Sequence, residues 1–200
     1  MKHIRKRNKS RHNWIWLVVL ALVYLYYQLE SYGFSRGMMN LILIGFIALS
    51  TVMIIGASTM IKHFNRQKYL NSPLGVVDKM SGEEFEKYLK AHFENMGYNV
   101  KLTPASHDFG ADLVCKGKGE TIIVQAKRYN KKVGNSAIQE IVAAKGYYKS
   151  DRCMVVTNSF FTKPAIELAR SNNVELWDRK SINVFFKSPK SQDNIIKFRR

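Results

Sequence analysis

Two long apolar stretches at the start of the chain predict membrane helices. The first covers residues 14–29, and the second covers Met38–Ile61, where 24 consecutive positions carry no charged side chain. At a rise of about 1.5 Å per residue, the second stretch forms a helix of about 36 Å, long enough to cross a hydrocarbon core of about 30 Å. Trp and Tyr side chains near both ends of the first stretch are typical of the membrane interface. The pattern predicts a two-helix transmembrane hairpin.

Two other interpretations of these stretches are a cleaved signal peptide and a buried core helix. No small-residue cleavage site follows the first stretch, whereas a second apolar stretch does. Met38–Ile61 has few polar residues with which to form a solvent-facing side. Basic residues precede the first stretch and follow the second. Because positive flanks stay inside, we expect a multi-pass protein of the cell membrane with both termini and everything after Ile61 in the cytoplasm.

The remainder of the chain shows the shorter periodicities of an α/β domain. Residues 62–78 are interpreted as a linker, 79–186 as a folded domain and 187–200 as a basic tail, after a membrane region over 1–61 that includes the basic N-terminus. The predicted helices and strands follow the order αβββαβαβ. The strands are expected at Tyr98–Thr103, Ala111–Lys116, Thr121–Arg128, Met154–Thr157 and Val174–Trp177. A hairpin followed by a parallel crossover predicts a mixed sheet between helices.

Three helix starts carry recognisable sequence signals. Ser81 with Glu84, and Ser136 with Gln139, have the spacing of a capping box and predict helices to about Asn95 and about Lys149. A third helix is expected from Thr162, with a proline tolerated in its first turn.

The charge balance indicates an anionic partner. The chain has 32 Lys and Arg against 15 Asp and Glu, a net charge of +17. Residues 62–200 alone carry 25 basic and 14 acidic side chains, so the membrane flanks do not account for the whole excess. This composition excludes an acidic, solvating chain and favours nucleic acid or an acidic membrane surface as partner.

Three polar residues of the predicted hairpin are expected to converge. A turn centred on Lys118 places residues whose numbers sum to about 236 opposite one another, so Asp112 lies opposite the range 123–125. Gln125 and Lys127 are two residues apart on one strand and share a face. An acid, an amide oxygen and a lysine would therefore meet on one side of the sheet.

Glu86 is a further candidate, supplied by the preceding helix. It lies at the edge of the apolar stripe of that helix, where a carboxylate can point into a cleft. Carboxylate and amide oxygens suit a hard divalent cation such as Mg²⁺, which lowers the pKa of a bound water. A nearby lysine can position that water or stabilise charge developing on a phosphate. This chemistry is what phosphodiester hydrolysis requires.

Residues from about Gly82 to Asp178 resemble the catalytic domain of the Mrr-type restriction endonucleases, in the PD-(D/E)xK nuclease superfamily. The resemblance rests on an ordered set of motifs: Glu84-Phe85-Glu86, Gly97-Tyr98, Asp108-Phe109-Gly110-Ala111-Asp112-Leu113, Val124-Gln125-Ala126-Lys127-Arg128-Tyr129, Val133-Gly134, Val156-Thr157-Asn158, and Phe161-Thr162 with Ala165. It implies a restriction-endonuclease-like fold that cuts DNA with Mg²⁺, or with Mn²⁺ in its place.

Carried over by position, the resemblance assigns four site residues. Asp112 would be the metal-binding carboxylate, Gln125 the second ligand in the Gln variant of the motif, Lys127 the catalytic lysine and Glu86 the helix acid. Family members often carry a separate DNA-reading domain, and here a membrane hairpin stands in its place.

Plainer roles stay open for these residues. Asp112 could begin a strand as a turn residue, and Glu86 could pair with Lys90 four positions on. Asp108 is interpreted as shaping its loop, with assistance to the metal as the alternative, and His107 as a solvated loop residue.

A basic and aromatic patch follows the predicted catalytic strand. It suits contacts with phosphate, and a solvated strand end is the alternative. Its members are Arg128, Tyr129, Lys131 and Lys132.

The leading hypothesis is a membrane-anchored, Mg²⁺-dependent DNA endonuclease acting in restriction of foreign or modified DNA. Its expected partners are double-stranded DNA and the lipid bilayer, and a homodimer, because cutting both strands with one site per chain calls for two chains. The alternatives are an inactive nuclease-fold module that tethers DNA to the membrane, and a protein whose charge serves anionic lipid alone.

Overall fold

The computed structural model of the chain describes residues 20–21, 23–24, 26–28, 30–33, 35–104 and 109–187. The chain divides into two compact units, Met1–Ile61 and Lys62–Arg200. The helices are α1 (Arg36–Leu70), α2 (Leu74–Val77), α3 (Gly82–Asn95), α4 (Asn135–Tyr148), α5 (Lys163–Ser171) and α6 (Arg179–Lys187). The strands are β1 (Asn99–Leu102), β2 (Leu113–Gly117), β3 (Glu120–Lys127), β4 (Arg152–Thr157) and β5 (Val174–Trp177).

Helix α1 contains the second apolar stretch. Among the described residues it is the one helix long and apolar enough to cross a membrane, and none of its most apolar window is buried. The described residues between 20 and 31 are also helical, but the first expected span, 14–29, lies largely outside the described residues. The described part of the chain therefore has one candidate span, and the two-helix hairpin is not shown.

The segment expected to be a linker is largely helical. Helix α1 runs on to Leu70, and α2 follows at Leu74–Val77 with Pro73 as its N-cap. Residues 57–72 contain neither Gly nor Pro, so nothing in the backbone stops the helix where the apolar run ends at Ile61. The polar composition of 62–70 marked the end of the apolar stretch and not the end of the helix.

A five-stranded mixed sheet organises the second unit. Its strand order is β1-β2-β3-β4-β5, with antiparallel pairing from β1 to β3 and parallel pairing from β3 to β5. The antiparallel hairpin and the parallel crossover confirm the mixed sheet expected from the sequence. Strand β3 is central and buried on both faces, which explains its unbroken apolar run at Ile122, Ile123 and Val124.

Successive side chains of the strands enter two separate cores, one on each face of the sheet. Ile122 and Val124 belong to the core that also contains Phe85 and Leu89 of α3. Ile123 belongs to the opposite core, together with Ile138 of α4 and residues of α5. Because side chains of a strand alternate between faces, odd-numbered residues of β3 lie on the α4 side. That alternation fixes the direction of Gln125 and Lys127.

Two of the three expected helix starts agree with the structure. The Ser81 hydroxyl accepts a hydrogen bond from the Glu84 amide at 3.2 Å, and the Glu84 carboxylate accepts one from the Ser81 amide at 2.8 Å. Thr162 caps α5. The expected cap at Ser136 is wrong: α4 begins at Asn135 with Gly134 as N-cap. The bridge between Val133 and Phe161 positions the chain just before that point and so sets where the helix starts.

Helix α6 was not expected from the sequence. Its side chains Ile182 and Phe185 join Trp177 in the core on the α3 side. The carboxylate of Asp178 accepts hydrogen bonds from the Ser181 amide at 2.9 Å and hydroxyl at 3.0 Å, as an N-cap residue does. The sequence did contain a signal for this helix: Asp178 suits an N-cap, and the apolar residues Ile182 and Phe185 follow it three positions apart.

Candidate active site

The β2–β3 hairpin brings the three expected polar residues to one cleft. Paired residues sum to 237, as in Leu113 with Val124, one more than the sequence-based estimate. Asp112 precedes β2 and continues this register, because its amide donates to the Val124 carbonyl at 2.9 Å and its carboxylate accepts from the Ala126 amide at 2.7 Å. Asp112, Gln125 and Lys127 all line this cleft, which has a volume of about 400 Å³.

Glu86 lines the same cleft from another direction. It is half-buried on α3, and Gly82 at the start of that helix lines the cleft beside it. Lys90, the alternative partner of Glu86, also forms an ion pair with Glu94 at 3.6 Å. The cleft therefore contains all four residues that the sequence singled out as catalytic, whose roles remain predictions.

Glu140 also lines the cleft, and the sequence patterns did not indicate it. Its Oε2 accepts hydrogen bonds from Gln125 Nε2 at 2.7 Å and from Lys127 Nζ at 2.8 Å. It lies on α4, 13 residues beyond Lys127, so only the packing of that helix on the sheet reveals the contact. The available signal was an acid in the first two turns of a helix that had to cover the face holding Gln125.

Gln125 is the most buried polar residue of the group. Its side chain is 3% exposed, and its Oε1 is buried without a hydrogen-bond partner among the described residues. A buried acceptor of this kind loses its hydration without compensation, so it needs a specific explanation. Lys127 is also well shielded, with 19% of its side chain exposed.

Gly110 presses the loop before Asp112 against α4. Its φ is +92°, and a Cβ built on it would lie 2.5 Å from the Glu140 carbonyl oxygen. Only glycine adopts such a φ without strain and leaves room for so close an approach. Asp108 and His107 of the same loop lie outside the described residues.

The basic patch is divided by the structure. Arg128 and Tyr129 line the cleft, whereas Lys131 and Lys132 are exposed and are not among its lining residues. Arg128 already donates a hydrogen bond to the Asp78 carbonyl, and Tyr129 donates its amide to Asn158 Oδ1 at 2.9 Å. Arg128 is therefore partly engaged in holding the fold.

Asp78 anchors the segment before α3 beside the cleft. Arg179 forms a bidentate pair with its carboxylate at 2.6 and 2.8 Å, and Asn158 donates to it at 3.0 Å. The hydrogen bonds from Arg179 hold the pKa of Asp78 below its ordinary value. These contacts join the ends of β3 and β4 to the segment that follows α2.

The donor atoms of the cleft fit a hard divalent cation better than a soft one. No group of three or more His, Cys, Asp and Glu side chains within the described ranges could hold a metal ion. Asp112 and Gln125 instead offer one carboxylate and one amide oxygen, and Mg²⁺ is usually held by one or two carboxylates with water and phosphate in the remaining positions. The unpartnered Oε1 of Gln125 is an atom that such an ion would satisfy.

Comparison with known proteins identifies the class. The family model Mrr_cat, described as "Restriction endonuclease", matches residues 77–185, which is more than half of the chain. The chain therefore belongs to this restriction endonuclease family and carries its nuclease domain. No curated protein matches the chain.

Three solved structures are similar to parts of the chain. A protein of unknown function, AF1548, has 15% identity and a TM-score of 0.43 over 56% of this chain and 62% of that one. The DNA modification-dependent restriction endonuclease AspBHI has 17% identity and a TM-score of 0.45 over 67% and 39%. The MspJI restriction endonuclease, in complex with a 27-mer oligonucleotide, has 17% identity and a TM-score of 0.42 over 62% and 34%. The chain spans less than two thirds of the length of each.

Proposed function

We propose that this protein is a membrane-anchored, metal-dependent deoxyribonuclease that hydrolyses phosphodiester bonds of DNA. The observation that carries the proposal is the convergence of Asp112, Gln125 and Lys127 in one cleft, with the buried Oε1 of Gln125 left without a partner among the described residues. The match of residues 77–185 to a restriction endonuclease family supports the same reaction class.

In this proposal Asp112, Gln125 and Glu86 are ligands of Mg²⁺ or Mn²⁺. When bound, the cation would lower the pKa of a coordinated water and screen the charge of the scissile phosphate. Lys127 orients the attacking water or stabilises the charge that develops on the phosphate oxygens, from a position where 81% of its side chain is shielded from solvent. The shielding strengthens that interaction because the local dielectric is lower than in water.

The strand end beyond Lys127 supplies the DNA contacts in this proposal. The basic side chains neutralise phosphates, and Tyr129, which is 43% exposed, packs on the nucleic acid beside the cleft. The residues assigned to this role are Arg128, Tyr129, Lys131 and Lys132. Lys131 and Lys132 are the more available pair, since both are exposed and Arg128 is held by Asp78.

We further propose that the stretches 14–29 and 38–61 anchor the nuclease domain to the cell membrane, with 62–78 as the connection, 79–186 as the domain and 187–200 as a basic tail. Both termini and the domain lie in the cytoplasm. The exposed apolar surface of α1 supports this arrangement. Restriction of foreign or modified DNA by paired chains is the biological role that fits a nuclease with one site per chain.

A second candidate function is a nuclease-fold module that binds DNA at the membrane without cutting it. The neutral Gln125 favours this alternative, because it replaces a carboxylate that would hold the cation more strongly. Residual binding by the basic strand end would then be the whole function.

The two functions are separated by incubating the full chain in detergent with supercoiled plasmid DNA. We expect nicked and linear products with Mg²⁺ or Mn²⁺ and none with EDTA. Plasmids with and without cytosine and adenine methylation serve as the substrates. DNA binding without cleavage of any of these plasmids would contradict the nuclease and support the binding module.

A further inference from the structure

Glu140 makes contacts that only an acceptor could make. A carboxylate has no hydrogen to donate, so the group of Gln125 that faces Glu140 must be its NH₂, at 2.7 Å. The same Oε2 accepts from Lys127 Nζ at 2.8 Å. The amide of Gln125 is thereby held in one of its two orientations, with Oε1 directed away from Glu140.

The amide of Gln125 has no second contact that would fix this orientation. Its Oε1 is buried and lacks a hydrogen-bond partner among the described residues, so the oxygen itself is not held. The side chain is 3% exposed, and solvent therefore cannot stabilise the reversed orientation. The hydrogen bond to Glu140 decides which atom Gln125 presents to the cleft.

The position of Glu140 is itself fixed by the backbone. The close approach of Gly110 to the Glu140 carbonyl locks this turn of α4 against the loop that carries Asp112. The helix turn that carries Glu140 and the segment that carries Asp112 therefore meet at this contact. The side chain of Glu140 is 43% exposed.

We propose that Glu140 is a positioning residue that turns the amide oxygen of Gln125 toward the divalent cation. This inference rests on the proposed function, since it requires a cation at Asp112 and Gln125. It explains how a neutral amide can serve where nucleases of this superfamily commonly use an acid. A carboxylate presents oxygen in either orientation, whereas an amide presents oxygen in only one.

The test compares the effect of Glu140→Ala in two backgrounds. In the natural chain, Glu140→Ala frees the amide of Gln125 and weakens Mn²⁺ binding by roughly tenfold, as other losses of an outer support do. In the Gln125→Glu background there is no amide orientation to lose, and Glu140→Ala removes only the attraction of one further carboxylate for the cation. The proposal therefore predicts a clearly smaller loss of Mn²⁺ binding in the Gln125→Glu background than in the natural chain.

The readout is the Mn²⁺ dissociation constant of the full chain in detergent, measured by calorimetry and by the electron paramagnetic resonance signal of free Mn²⁺. Glu167→Ala removes an exposed acid from α5 and serves as the matched control, expected to leave the constant unchanged. Glu140→Gln is a near-isosteric second variant that removes the charge but keeps an acceptor oxygen for Gln125, so in the natural chain it is expected to weaken binding less than Glu140→Ala does.

An equal loss of Mn²⁺ binding from Glu140→Ala in both backgrounds would show that Glu140 acts on the cation or on the fold and not through the amide of Gln125. That result would overturn the positioning role while leaving the metal site intact. Absence of Mn²⁺ binding by the natural chain would overturn the metal site of the proposed function, and the inference with it. A smaller loss in the Gln125→Glu background than in the natural chain would support both.

Discussion

Gly110 shows how a single residue holds the candidate site together. Its positive φ and the absent Cβ let the loop before Asp112 lie directly on the backbone of α4 at Glu140. The loop supplies one carboxylate to the cleft and the helix supplies another. The spacing between these two acids therefore depends on the absence of a Cβ at Gly110.

Replacing Gly110 by Ala tests this dependence. The new Cβ would meet the Glu140 carbonyl oxygen at 2.5 Å and would also occupy a strained backbone conformation. We expect the free energy of unfolding to fall by about 3 kcal/mol, with loss of Mn²⁺ binding. Gly119→Ala is the matched control, because its φ is +77° and no heavy atom lies within 4 Å of the new Cβ.

The control isolates the contact from the backbone strain. Gly119→Ala should cost about 1–2 kcal/mol from its left-handed conformation alone. Chemical unfolding curves of both variants measure the difference. Equal destabilisation of the two would contradict a tight contact between Gly110 and Glu140.

The elements differ in how far sequence patterns could predict them. A short turn connects the two strands of the hairpin. Residue numbers alone therefore predicted, to within one residue, the strand register that places Asp112 beside Gln125. Glu140 reaches the same cleft through the packing of α4 on the sheet, a tertiary contact that no local pattern encodes. The start of α4 was misplaced for a related reason, since a bridge at Val133 and not a side-chain cap fixes it.

Helix α3 carries a buried histidine that makes the stability of the fold depend on pH. His92 is 4% exposed and stacks on Phe186 of α6, with ring centroids 4.0 Å apart. Burial lowers the pKa of His92 to about 4. The unfolded chain therefore binds a proton between about pH 6.5 and pH 4 that the folded chain does not.

The sign of the effect follows from this difference in proton uptake. The stability contributed by neutral His92 is fully present above about pH 6.5 and is lost as the pH falls toward 4, on the order of 3 kcal/mol. His92→Phe keeps an aromatic ring on Phe186 and removes the titration. Unfolding free energies from pH 7.5 to pH 4 should therefore fall less in this variant. A decline as steep as in the natural chain would contradict the assignment.

At the scale of the whole molecule, the nuclease domain and the apolar helix are distinct parts of one chain. The family match covers residues 77–185, so the apolar stretch of α1 lies outside it. The excess of 17 positive charges suits both DNA and the cytoplasmic face of a membrane. A tether of this kind would confine DNA cleavage to the inner membrane surface.

Arginine substitutions in α1 test the tether. Ile54→Arg places a charge within the uncharged stretch, at a cost to insertion of about 3 kcal/mol, and should reduce the fraction that resists carbonate extraction from membranes. Phe64→Arg is the matched control, since this residue is also exposed but lies between Lys62 and Arg66. Extraction of the natural chain by carbonate, or equal effects of the two substitutions, would contradict a membrane span.

In the proposed function Lys127 acts with Asp112 and Gln125 in metal-dependent cleavage of DNA, and cleavage by a Lys127→Ala variant is the decisive measurement. Lys116→Ala removes the same charge from an exposed position on β2 and is the control. With Mg²⁺ and plasmid DNA, we expect Lys127→Ala to lower the cleavage rate by about 100-fold or more, with DNA affinity nearly unchanged and Lys116→Ala close to the natural chain. Equal cleavage by the natural chain and Lys127→Ala would contradict this role of Lys127.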